Sequence, residues 1–205
     1  MNSEFIDSIK DILMPDESAA ATLHEIEKAI TEAERLSFEG KKPGDRFVYR
    51  GIEWVILGRE QGGVLCVTAE PIERMMFDED DRNNWTVSSL RRYLNSTFLA
   101  KLDKNVLCKF VSGLVADNGD KMYGTTDDYV GLLSCDLCRK YRDVIPHYKT
   151  WIWTCTPWVC DPIGAYGVRG VGLSGGLGNS VASIAHDVVP ACIFADSTAT
   201  EEKGE

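Results

Sequence analysis

At Arg46 the hydrophobic period of this chain changes, and that switch constrains its fold more than any other feature. Before it, apolar residues recur every three or four positions: Phe5, Ile6, Ile9, Ile12 and Leu13, then, beyond Pro15, Leu23, Ile26, Ile30 and Ala33. This is the spacing of one helix face. After it, Phe47-Val48-Tyr49, Glu53-Trp54-Val55-Ile56-Leu57 and Val64-Leu65-Cys66-Val67 are divided by Gly51 and by Gln61-Gly62-Gly63, the pattern of strands joined by tight turns. An α+β domain over 44–196 is therefore expected behind a helical extension over 1–43, with 197–205 as a flexible acidic tail. Leu23, Ile26 and Ile30 form a narrow stripe ringed by charge. It either packs on its own domain or serves as a docking or homo-oligomerising arm.

Within the domain, Val87, Leu90, Tyr93, Leu94 and Phe98 predict one helix over Trp85–Lys101, capped by Ser88 or Thr86. Val106–Val115, Tyr129–Leu133 and His186–Phe194 read as buried strands, and Asp117-Asn118-Gly119-Asp120 as a turn. Trp151, Trp153 and Trp158 precede seven glycines between Gly164 and Gly178, which predicts short strands joined by long loops.

The 205 residues fit one domain plus an appendage, and a 44% hydrophobic content supports a real core. The formal net charge of −10 disfavours direct nucleic-acid binding, which depends on Lys and Arg displacing counterions. No secretory signal and no membrane span is read, and seven cysteines make an odd set. The expectation from composition is a protein of a reducing cytoplasm.

Taken in order, Ile52–Leu57, Asn84-Trp85-Thr86-Val87-Ser88-Ser89-Leu90-Arg91-Arg92-Tyr93-Leu94-Asn95, Gly131–Ser134, Trp153-Thr154-Cys155-Thr156-Pro157 and Val189-Pro190-Ala191 resemble the domain of unknown function 6273, found in gut-associated bacteria and their phages. The similarity runs from about Gly44 to Phe194 and leaves residues 1–40 outside. It implies a C-type-lectin-like or formylglycine-generating-enzyme-like fold. Family members carry Trp-Trp-Leu-Arg-Ser-Pro and Val-Arg-Pro-Ala motifs, whereas this chain has Cys155 and Val189 at the two arginine positions. Contacts made by those arginines elsewhere are absent here.

Cys135-Asp136-Leu137-Cys138 is the most prominent short motif, because two thiols three residues apart can share a metal or exchange a disulfide. A structural zinc needs four ligands, and Cys155 and Cys160 have a spacing that fits poorly, so plain buried thiols are the expected state. The formylglycine analogy adds a cysteine-dependent oxidase through Cys155 and Cys160 as the last alternative. His24, His147 and His186 build no catalytic spacing with a nucleophile. Asp78–Asn84 reads as a solvated acidic loop, since it lacks the glycine and the final acid of a calcium loop. Gly175-Gly176-Leu177-Gly178-Asn179 lacks the lysine and the context of a phosphate loop, and no cofactor is implied.

With the resemblance, the reading that unites these features is a non-enzymatic binding module of phage or prophage type, in the host cytoplasm or associated with a virion. Its C-terminal Gly/Trp loops, with Trp158, Tyr166, Arg169 and Asn179, would meet a protein or glycan partner, while Trp54, Trp85 and Trp153 form core. An acidic intracellular inhibitor of a host defence protein is the alternative.

Overall fold

The computed structural model describes residues 36–160 and 166–196. The expected arm residues Leu23, Ile26 and Ile30, His24, and the tail from Ser197 lie outside those residues. β1 (Arg46–Tyr49), β2 (Ile52–Glu60) and β3 (Gly63–Thr68) form an antiparallel meander. Arg50 and Gly51, then Gln61 and Gly62, have φ between 50° and 84°. Two positive-φ residues between paired strands match the strands' right-handed twist.

β3 also pairs with β12 (Ala191–Phe194), which pairs in turn with β5 (Leu107–Cys108), so the first sheet runs β1-β2-β3-β12-β5. β3 and β12 are buried along their whole length because both faces of this sheet are covered. On one face the ring of Phe194 lies 5.1–6.2 Å from those of Phe38, Phe47, Tyr49 and Trp54. On the other, Val55, Leu57, Leu65, Val67 and Ile193 pack with Leu133 and Ile152. The compact unit begins at Ser37 rather than at Gly44, because Phe38 is buried in the aromatic cluster.

The second sheet runs β10 (Leu177–Val181), β9 (Gly167–Val171), β8 (Ile152–Pro157), β11 (Ala185–Val188) and β4 (Glu73–Met76). Only β8 and β11 pair in parallel. The single strand expected over His186–Phe194 is thus two strands in different sheets. Pro190 between them has no N–H for a ladder; its carbonyl accepts from the Thr68 amide at 3.2 Å. β6 (Phe110–Gly113) and β7 (Thr125–Asp128) make a separate ribbon joined through the expected turn, with Gly119 at φ 85°. Of the strand expected over Tyr129–Leu133, only the Gly131 bridge to Ala191 forms. The Phe110 ring lies where a side chain at 131 would stand, 2.7 Å from its Cβ position.

The helix expected over Trp85–Lys101 is broken into a 3₁₀ turn (Trp85–Val87), α1 (Ser89–Tyr93), a π turn (Leu94–Phe98) and a second 3₁₀ turn. Ser88 caps α1 by accepting from the Arg91 amide, as expected. Asn95 disturbs the middle: its amide nitrogen donates to the Arg91 and Val130 carbonyls, and its oxygen accepts from the Tyr129 and Val130 amides. A side chain that competes for backbone partners loosens the α-helical ladder. Leu90, Leu94 and Phe98 are buried, while Val87, assigned to the same face, is exposed. α2 (Cys135–Lys140) is capped by Ser134. Few short helices beside mainly antiparallel sheets make this the α+β domain that the change of period predicts.

Candidate functional site

The most distinctive sequence motif, Asn84–Asn95, is built into the scaffold. Trp85 is fully buried, and its indole N–H donates to Asp128 at 3.3 Å. Arg91 grips the same carboxylate through Nε at 2.9–3.0 Å and donates to the Thr86 carbonyl at 2.7 Å. A planar guanidinium on a buried carboxylate gives both charge and direction. The acidic loop before it exposes Glu79, Asp80 and Arg82, as a solvated segment should, but two of its residues are anchored inside. Asp78 and Asn83 are almost inaccessible. Burial pushes the Asp78 carboxyl up, but the Arg82 guanidinium with the Ser89 and Arg82 amides outweighs it and holds the group below its ordinary range.

Asn83 reaches the region expected to carry recognition. Its amide nitrogen donates to the Val159 and Gly167 carbonyls at 2.8 and 2.9 Å, and its oxygen accepts from the Tyr123 hydroxyl. The expected short strands form here, but a short turn joins them in place of a long loop, giving the β9–β10 hairpin closed by Gly172–Gly176. Gly170 and Gly178 stand opposite each other in that hairpin. The Trp151 ring covers both: a Cβ at either would lie 2.4 Å from it. Trp158 does the same for Gly167, with a closest approach of 2.9 Å. An aromatic ring from a neighbouring segment thus fills the space that glycine leaves on a sheet face.

The four expected binding residues do not behave alike. Trp158 is 50% exposed and Tyr166 53% exposed. They sit at one end of the hairpin, where the Trp158 amide donates to the Gly167 carbonyl and the Ala182 amide to that of Tyr166. Arg169 departs from the expectation, since its side chain is largely buried and pairs with Asp117 at 3.4 Å. Asn179, its cross-strand partner, is exposed. Trp54, Trp85 and Trp153 are core, as expected.

At the turn end of the same hairpin lies a cavity of 530 Å³ between Gly172–Leu177 and the segment after α2. Ile152, Val171 and Leu177 give it an apolar wall, and Arg139, Arg142 and His147 also line it. Sequence reasoning missed it because Arg142 and His147 lie in a stretch without period or motif. What draws them together is the hairpin, itself hidden by its glycines.

Six of the seven cysteines are buried and all are free thiols, Cys108 alone being partly accessible. Burial pushes the Cys138 thiol far up, reinforced by Cys135 and Cys155 nearby. Burial likewise pushes Cys155 up to about 12 and raises Cys160. Thiol chemistry uses accessible thiolates of lowered pKa, and these groups are the reverse. Among the described residues no three His, Cys, Asp or Glu side chains converge as a metal site requires. Nor is any helix among them long and apolar enough to cross a membrane. No family model, no curated protein and no solved structure matches this chain.

Proposed function

We propose that this chain is a non-enzymatic binding module that presents the Trp158–Tyr166 end of its C-terminal sheet to a protein or glycan partner. The observation that carries this reading is the pair of half-exposed aromatic side chains on backbone that Asn83 fastens from both sides. Tyrosine and tryptophan supply large contact areas with few torsions to freeze, which is why they dominate binding hot spots. Phage or prophage origin, and with it membership of the 6273 family, rests on the sequence resemblance. The alternative, an acidic inhibitor of a host defence protein in the cytoplasm, draws on the net charge of −10.

The test is capture from host lysate and on a glycan array with the full chain. Replacing both Trp158 and Tyr166 by Ala should weaken capture by about thirtyfold or more, the scale of a hot-spot loss of ~2 kcal/mol. Capture of a basic nuclease would favour the inhibitor reading, and capture of glycans or virion proteins would favour display. A double variant that binds its partner as well as the parent contradicts the proposal.

A further inference from the structure

We infer that the cavity beside the Gly172–Gly176 loop binds a small amphipathic anion, a carboxylate or phosphate head on an apolar body. Its volume of 530 Å³ lies in the range of small-molecule sites, about 300–1,000 Å³. The wall is apolar: Ile152, Val171, Leu177 and Ile145 continue the core cluster into it. Arg139, Arg142, His147, Tyr148, Thr150 and Ser174 supply its polar side chains, and no lining residue is Asp or Glu. In a chain with 32 acidic and 22 basic side chains, a cavity that excludes every carboxylate and collects two arginines inverts the surrounding composition.

The two arginines are differently placed. Arg139 shares one nitrogen with the exposed Asp136 carboxylate at 2.7 Å, a surface pair that leaves its other N–H groups available. Arg142 is exposed and has no ion-pair partner among the described residues. Guanidinium forks match the paired oxygens of a carboxylate or phosphate. His147 and Thr150 supply further side-chain donors on the same lining. The apolar wall would take the body of the ligand and the arginine side its head.

This site lies at the opposite end of the hairpin from Trp158 and Tyr166, so its test is separable from that of partner capture. Calorimetric titration of the full chain with octanoate, octyl phosphate, octan-1-ol and acetate is the experiment. Octanoate or octyl phosphate should bind saturably at one site, and which is tighter tells a carboxylate head from a phosphate. Octan-1-ol, which lacks the charge, and acetate, which lacks the body, should each bind at least about tenfold more weakly, the scale of a charge-assisted hydrogen bond of ~1.5 kcal/mol or more. Arg142→Gln touches no folded partner and should weaken the anion by about tenfold with octan-1-ol unchanged, while Trp158→Ala should leave all four titrations as they are. Absence of saturable binding by either long-chain anion, equal affinity for octan-1-ol, or indifference to Arg142→Gln would each overturn the inference, whatever the outcome of partner capture.

Discussion

The two sheets meet the same packing demand with opposite side-chain inventories. The first fills its interior from its own strands: β3 and β12 are buried throughout, and Trp54, Leu57, Leu65 and Phe194 are at 0% exposure. The second leaves glycines facing each other on β9 and β10 and covers them with Trp151 from just before β8. A sheet built the first way gains stability from its central strands, because their apolar side chains leave water. The second sheet is buried along β8, but its β9–β10 hairpin takes its cover from the rings of Trp151 and Trp158, which leaves the hairpin's ends free to carry Trp158, Tyr166 and the cavity wall.

The largest way to break this contrast is in the first sheet. Trp54→Ala should cost ~3–5 kcal/mol in chemical denaturation, as deletion of a fully buried aromatic does, with the whole domain lost in one transition. In the second sheet the sensitive direction is addition. Gly178→Ala places a methyl group against Trp151 and should cost ~1–3 kcal/mol by overpacking. Combining it with Trp151→Ala should cost less than the sum of the single changes, since the clash needs the ring. Additive costs would show that the ring does not fill the glycine gap.

Titration sharpens the difference further. His186 lies against the rings of Trp151 and Trp153, centroids 5.4 and 4.7 Å away, and shares a 2.7 Å hydrogen bond with Ser180. Burial lowers its pKa, Arg74 nearby adds to this, and Asp187 opposes it. Because the folded value lies below the ordinary 6.5, the unfolded chain takes up its proton first on acidification. The stability that depends on neutral His186 is complete above pH 6.5 and is lost as pH falls below it. Amide exchange should then quicken in β8, β10 and β11 before it does in β3 and β12, and His186→Gln should remove that pH dependence. Equal acid response in both sheets would contradict the assignment.

The same contrast explains what could be read from sequence. Alternation in β1–β3 was legible because its apolar residues are the packing, and Gly51 and Gln61-Gly62 announced their turns. The hairpin was not, because Gly170 and Gly178 borrow their packing from a residue distant in sequence. Asn95 and Asp128 escaped for a related reason: each acts through partners more than 30 residues away, beyond any local period. Of the expected recognition residues, Trp158 and Tyr166 stand exposed, whereas Arg169 turned inward to Asp117. Charge alone gives no notice that a nearby turn will supply its partner.

The central claim, that Trp54 in the first sheet serves stability while Trp158 at the end of the C-terminal hairpin serves recognition, is tested most directly by Trp158→Ala in parallel thermal melting and partner capture, with Trp54→Ala as the reference. A ring 50% exposed that covers Gly167 should cost about 1 kcal/mol of stability, a small fraction of the Trp54 loss, while capture falls by an order of magnitude or more. A Trp158→Ala protein that melts as early as Trp54→Ala, or that captures its partner undiminished, would contradict the account.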